Sequence, residues 1–302
     1  MSEAPRTLAG IGYTLLGGLV FAGSNATAKH LAAFYPAGET LFVRSVIALL
    51  LLLPFLRWDD VKALWQPGQR GWQVLRCASS AIEVWCYYWA LAWLGLAEIS
   101  TIYMAGPIYI TAMSALFLGE QVGWRRWTAV LVGFAGVVVA LNPGAGVLGW
   151  PALIAVGGSL LYATSLVATR RLRGTPTQVL VASQVAALAL PSAIPIGWVM
   201  PQGWDWLALL AVGVVAMAGY LFTNRGVQLA PASVVAPFGY LGIVWAMTLG
   251  LMFFGDVPSG STMIGAAMIV GAGLFIMLRE RGLTGGGGAA QAIVTKIEGA
   301  AP

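Results

Sequence analysis

A chain of 302 residues that is 59% apolar and only 9% charged lies far from the roughly one-quarter charged composition of soluble domains, and reads as an integral membrane protein. Its net charge of +5 does not point to nucleic acid, because the Lys and Arg residues are scattered between apolar runs instead of clustered with exposed aromatics. Cys77 and Cys86 share one apolar run and point about 180° apart on a helix, so no disulfide, metal site or cofactor is expected. With His30 the single histidine, the chain also lacks a Ser-His-Asp set or a metalloenzyme cluster.

Apolar runs between charged or Pro/Gly breaks predict ten spans, over 7–33, 37–56, 71–94, 97–118, 124–141, 149–169, 177–199, 204–227, 232–253 and 260–279. The first, with Arg6 before it and Ala26-Thr27-Ala28 within it, imitates a cleaved signal peptide; its counterpart deep in the chain argues for a retained span. The fourth carries a central Gly106-Pro107, and Tyr103, Pro107, Thr111 and Ser114 share one helical face there. A proline inside a span frees a carbonyl that must find a neighbour or water, so this helix is expected to bend and to line something wet. Pro237 does the same in the ninth span, and two bent helices in corresponding halves mark a transporter's site.

Placing the N-terminus in the cytoplasm puts fourteen of the sixteen Lys and Arg residues inside; the exceptions, Lys29 and Arg44, flank the first outer turn. At an offset of 141, Gly17, Phe21-Ala22, Ser24 and Lys29-His30-Leu31 match Gly158, Tyr162-Ala163, Ser165 and Arg170-Arg171-Leu172. Spans 1 to 5 therefore repeat as spans 6 to 10, and an odd count makes the repeats inverted in the membrane. The expected organisation is a first five-helix repeat over 1–141, an outer linker over 142–148, a second repeat over 149–281 and a low-complexity, disordered cytoplasmic tail over 282–302.

Gly23-Ser24-Asn25, Lys29, Glu39, Arg44, Tyr88-Trp89-Ala90-Leu91, Leu96-Ala97-Glu98, Pro107, Leu118-Gly119-Glu120, Ala236-Pro237-Phe238 and Phe254-Gly255-Asp256 resemble, in that order, the EamA type of the drug/metabolite transporter superfamily. Within it the chain is most similar to the bacterial inner-membrane exporters of aromatic amino acids (YddG). The resemblance implies an all-α membrane protein of ten helices in inverted five-helix repeats around a central cavity, exporting amino acids. Asp256 departs from the glutamate usual there. A monomer in lipid with a small-molecule substrate and no nucleic acid partner is expected. The alternative keeps the mechanism and changes the cargo to drugs, organic cations, nucleosides or S-adenosylmethionine.

Ten of thirteen Trp residues fall at predicted span ends, as an aromatic belt requires. Trp85, Trp89 and Trp245 do not, and with Tyr87, Tyr88, Tyr103, Tyr162, Tyr220 and Tyr240 they are candidates for a cavity wall, although packing between helices explains such residues equally well. Glu83, the acid nearest a span centre, is expected to bind a substrate ammonium, carry a proton or pin its helix, with Arg76 two turns earlier as a partner. Ser24, Asn25, Thr111, Ser165 and Asn224 are candidate hydrogen-bonders to substrate; single Ser and Thr residues also bond their own helix backbone. Lys29, His30 and Glu39 are expected to form an outer gate, Arg44 to pair with Glu39, and Pro107 and Pro237 to act as hinges.

Overall fold

The computed structural model describes residues 3–31, 34–66, 68–91, 93–94, 99, 102–141, 149–194, 197–242, 244–245, 248, 252 and 260–275. All regular structure in these residues is helical. In chain order the helices are α1 (Glu3–Leu31), α2 (Ala37–Leu52), α3 (Trp58–Ala63), α4 (Arg70–Leu91), α5 (Gly106–Leu118), α6 (Trp124–Leu141), α7 (Trp150–Arg171), α8 (Thr177–Ser192), α9 (Asp205–Leu229), α10 (Ala232–Val235, continuing as a 3-10 turn over Ala236–Tyr240) and α11 (Gly260–Phe275). Four segments, Pro5–Ser24, Ala37–Phe55, Trp150–Arg171 and Asp205–Leu229, are long and apolar enough to cross a membrane. Short α3 lies in the expected loop between the second and third spans, where Asp59 and Asp60 in its first turn favour a helix start.

Leu50, Leu153 and Leu190 are exposed on the outside of the bundle, as lipid requires, while small residues let the helices approach inside. Antiparallel α1 and α9 cross closely. A Cβ on Gly17 would meet Thr223 Oγ1 at 2.5 Å and one on Gly226 would meet the Gly10 carbonyl at 2.9 Å, so glycine is obligatory at this seam. Gly158 on α7 similarly admits Cys86 of α4.

The proline turns before α2 and α8 have matching backbones: Pro36 at φ −57°, ψ 145° and Pro176 at φ −55°, ψ 136°, each starting a helix of 16 residues. They lie at opposite ends of the bundle, one beside Tyr35 and the other near Arg170. Pro107 and Pro237 differ from expectation. Pro107 occupies the first turn of α5, where the missing N–H is already one of the unpaired donors of a helix start. Pro237 lies where α10 passes directly into its 3-10 continuation. The two turns touch, since a Cβ on Gly239 would lie 3.8 Å from Pro107 Cγ.

Candidate functional site

Halfway along the bundle the helices turn a set of tyrosines towards one acid and one arginine. Tyr87 of α4 packs edge-on against Tyr103, ring centroids 5.0 Å apart at 89°, and against Tyr88 at 6.0 Å and 73°. Tyr220 of α9 packs edge-on against Phe21 of α1 at 5.1 Å and 79°. Tyr162 of α7 lies with its ring against Gly106, where an added Cβ would meet it at 3.5 Å. Edge-to-face pairs leave aromatic faces free to receive another flat group.

Glu83 stands on α4 among them. Its backbone carbonyl accepts a hydrogen bond from Tyr103 Oη at 3.2 Å, while its carboxylate has no hydrogen-bond or ion-pair partner among the described residues. Arg44 of α2 lies within electrostatic reach of Glu83, Tyr88 and Tyr220, and makes one long hydrogen bond, 3.5 Å to Tyr220 Oη. A guanidinium has five donors, so Arg44 is far from satisfied by the protein alone. No ion pair joins it to Glu83 or to Glu39 among the described residues, which corrects the expected Glu39 pairing. Glu39 instead accepts the Val199 backbone N–H at 2.9 Å.

Arg76 is the opposite case and corrects its expected pairing with Glu83. It is fully buried, and its side chain donates to Gln73 Oε1 (3.2 Å), Gln184 Oε1 (3.1 Å), the Leu180 carbonyl (2.6 Å) and Ser183 Oγ (2.8 Å). With Cys77 Sγ at 3.6 Å, five neutral acceptors hold this charge, and Glu83 is left free.

The remaining candidates divide. Tyr88 is half-buried beside the cluster of Leu41, Val84 and Leu188, and Trp245 lies against Gly18 of α1 with its indole N–H buried and without an acceptor among the described residues. Ser24 and Ser165 are buried on α1 and α7. The structure separates three others from the tyrosine cluster. Tyr240 is wholly buried, with its ring on Gly133 and its hydroxyl donating to the Val130 carbonyl at 3.3 Å, so it packs α6 against the 3-10 turn. Thr111 donates to the Pro107 carbonyl at 2.7 Å and serves its own helix. Asn224 donates to Gln184 at 3.2 Å, within the Arg76 network. The side chains of Asn25, Lys29 and His30 lie outside the described residues.

Polar contacts between the two sequence halves occur at both ends of the bundle. At one end Tyr35 Oη donates to Asp205 at 2.5 Å and Glu39 holds Val199. At the other, Glu120, Arg170 and Ser233 meet. Sequence reasoning missed the surroundings of Arg44 because its neighbours come from α9 and α4, over a hundred residues away in the case of Tyr220.

The chain matches the EamA-like transporter family twice, over residues 8–142 and 149–278. It is 30% identical to a riboflavin transporter of Vibrio cholerae, covering 91% of this chain and 95% of that one. It is likewise 30% identical to the pseudopaline exporter CntI of Pseudomonas aeruginosa, covering 90% and 97% respectively. An S-adenosylmethionine uptake transporter of Rickettsia felis is 23% identical over 93% of this chain. A solved crystal structure superposes with a TM-score of 0.77 at 26% identity, covering 93% of this chain and 99% of the other. These relatives are named for different solutes, so the likeness reaches the family and not one cargo. A tyrosine-lined centre with polar contacts at either end, matched twice by one transporter unit, makes the chain a membrane protein of the EamA-like transporter family.

Proposed function

We propose that the protein is an alternating-access carrier that exports amino acids with aromatic or apolar side chains across a bacterial inner membrane. The observation that carries this reading is the pair Arg44 and Glu83: opposite charges on separate helices, within electrostatic reach of each other and of Tyr220, with no ion pair between them among the described residues. A substrate carboxylate on Arg44 and a substrate ammonium on Glu83 satisfy both at once, and the free aromatic faces of Tyr87, Tyr88, Tyr103, Tyr162 and Tyr220 take the side chain. Ser24, Ser165 and Trp245 supply further hydrogen-bonding groups.

The architecture that supports this carrier is ten spans in two inverted five-helix repeats, 1–141 and 149–281, joined by an outer linker over 142–148 and followed by a cytoplasmic tail over 282–302. The two family matches and the paired proline turns at opposite ends of the bundle favour it. In that topology both termini and the Arg170 end face the cytoplasm, and Tyr35, Glu39 and Asp205 close the outer side. Cysteines introduced at Gly146 and Gln202, with Cys77 and Cys86 removed, are expected to react with an impermeant thiol reagent from outside; labelling only from the cytoplasm would overturn the scheme.

Counterflow in proteoliposomes tests the function. Labelled phenylalanine or tryptophan is expected to exchange saturably and to be competed by apolar amino acids. Riboflavin is the second reading, favoured by the 30% identical relatives and by the aromatic side chains of the centre; saturable exchange of labelled riboflavin with no response to any amino acid would replace the first. The contact of the Pro107 turn with Gly239 supports a further role for Pro107 and Pro237 as paired hinges. Pro107→Ala and Pro237→Ala are expected to slow exchange several-fold while equilibrium substrate binding survives. Normal exchange in both variants would leave the prolines as static turns.

A further inference from the structure

The end of the molecule near Arg170 holds a three-way polar junction that the central site does not use. It starts at the end of α5. Gly119 adopts a left-handed conformation, φ +66°, and both its N–H and that of Glu120 return to the Ser114 carbonyl. This left-handed glycine turn stops the helix and aims the Glu120 carboxylate sideways into the second sequence half. There Oε1 accepts the Ala232 N–H at 2.9 Å, and Oε2 accepts the Ser233 N–H at 3.0 Å and the Ser233 hydroxyl at 2.7 Å.

The same carboxylate lies 3.7 Å from Arg170 Nε at the end of α7, and both side chains are about one-eighth exposed. Arg170 in turn donates to the last carbonyls of α9, Gln228 at 2.7 Å and Val227 at 3.3 Å. Gln228 is tied to the turn before α8 through Thr177 Oγ1 at 2.6 Å and the Thr175 carbonyl at 2.8 Å. One carboxylate thus fastens α5 of the first half to α7, the α9 end and the α10 start of the second half. Charge-assisted bonds at this depth are short and strong, yet all converge on one residue, so they break together.

We infer that Glu120 is the latch of the cytoplasmic gate: its carboxylate holds the Arg170 end shut, and release from Ala232, Ser233 and Arg170 opens the central site to the cytoplasm. Which face the latch guards rests on the proposed topology; that it joins the halves does not. Separation at Glu120 frees α5, whose first turn carries Pro107 against Gly239, so the motion reaches the centre of the bundle along a continuous element.

Cys86 reports the opening, because it lies on α4 beside Gly158, one turn from Glu83. The full chain carrying Cys77→Ser is placed in vesicles of known orientation and treated with a charged methanethiosulfonate that does not cross the bilayer. With Glu120→Ala, modification of Cys86 from the Arg170 face is expected to accelerate about tenfold, while the rate from the opposite face stays the same or falls. Ser233→Ala removes the 2.7 Å hydroxyl bond to Glu120 and the 3.4 Å bond from Arg126 Nη1, leaves the two backbone N–H bonds to Glu120 in place, and is expected to give a smaller acceleration on the same face, which keeps the test informative if Glu120→Ala fails to fold. Equal acceleration from both faces in either variant would show general loosening and overturn the latch, as would an unchanged rate. Failure of the carrier reading has a different signature: Cys86 in the latched protein labelled rapidly from both faces at once, as in an open pore.

Discussion

Arg76→Ala is expected to cost about 3 kcal/mol of stability, the sum of a buried void and acceptors left without a donor. The guanidinium is fully buried between α4 and α8, and its charge is held by oriented neutral acceptors. Removing it strands Gln73 Oε1 and weakens Gln184, which also binds Ser80 Oγ at 2.7 Å and Asn224 at 3.2 Å. The network therefore ties α4, α8 and α9 together, and its loss is felt on all three. Arg76→Lys is expected to recover only part, because an ammonium cannot reproduce the planar fork that reaches Gln73, Gln184 and Leu180 together. Thermal unfolding of the detergent-solubilised protein measures this as a fall of roughly 10 °C for Arg76→Ala. A shift within a degree or two would mean that water replaces the guanidinium and that the network is not structural.

The helices were largely legible because a span is written in twenty apolar residues and ends in Trp, Pro, Gly or charge; α1, α2, α4, α6, α7, α8, α9 and α11 begin within four residues of their expected starts. What composition hides is direction across the bundle. Of the stripe Tyr103, Pro107, Thr111 and Ser114, the last three are buried on α5 while Tyr103 precedes the turn at 104–105, and Thr111 and Ser114 spend their hydroxyls on their own helix, at 2.7 Å to Pro107 and 3.0 Å to Thr111. Tyr240 was expected at the cavity wall and instead fills the space over Gly133, a glycine whose partner no local pattern reveals. For charges the local rule misled twice. Arg44 is five residues from Glu39 and Arg76 seven from Glu83, close enough in sequence to suggest local pairs, whereas Arg44 bonds Tyr220 of α9 and Arg76 is held largely by Leu180, Ser183 and Gln184 of α8. Gly119-Glu120 does carry a readable signal, a glycine helix stop followed by an acid, but its target at Ala232 and Ser233 is known only once the halves are folded together.

Arg44 and Glu83 give the other large effect, and it falls on exchange instead of stability. Arg44→Gln and Glu83→Gln each remove a charge that the protein leaves nearly unpaired, so unfolding temperatures are expected to stay close to the parent value. With the proposed zwitterionic substrate, each also removes one charge-assisted contact, worth about 1.5–3 kcal/mol, or roughly a 10- to 100-fold loss of counterflow at limiting substrate. Loss alone does not prove contact, and the analogues decide it. If Arg44 binds the carboxylate, the parent protein prefers phenylalanine to its amide and Arg44→Gln erases that preference while keeping selectivity for the amine. If Glu83 binds the ammonium, Glu83→Gln erases the preference for phenylalanine over its des-amino acid and keeps selectivity for the carboxylate. The two variants therefore lose complementary halves of one discrimination, an outcome that general damage to the bundle does not produce. A Glu83→Gln variant that still rejects the des-amino acid would assign Glu83 to packing. Selectivity lost in the same way by both variants would show that the charges serve each other and not the substrate.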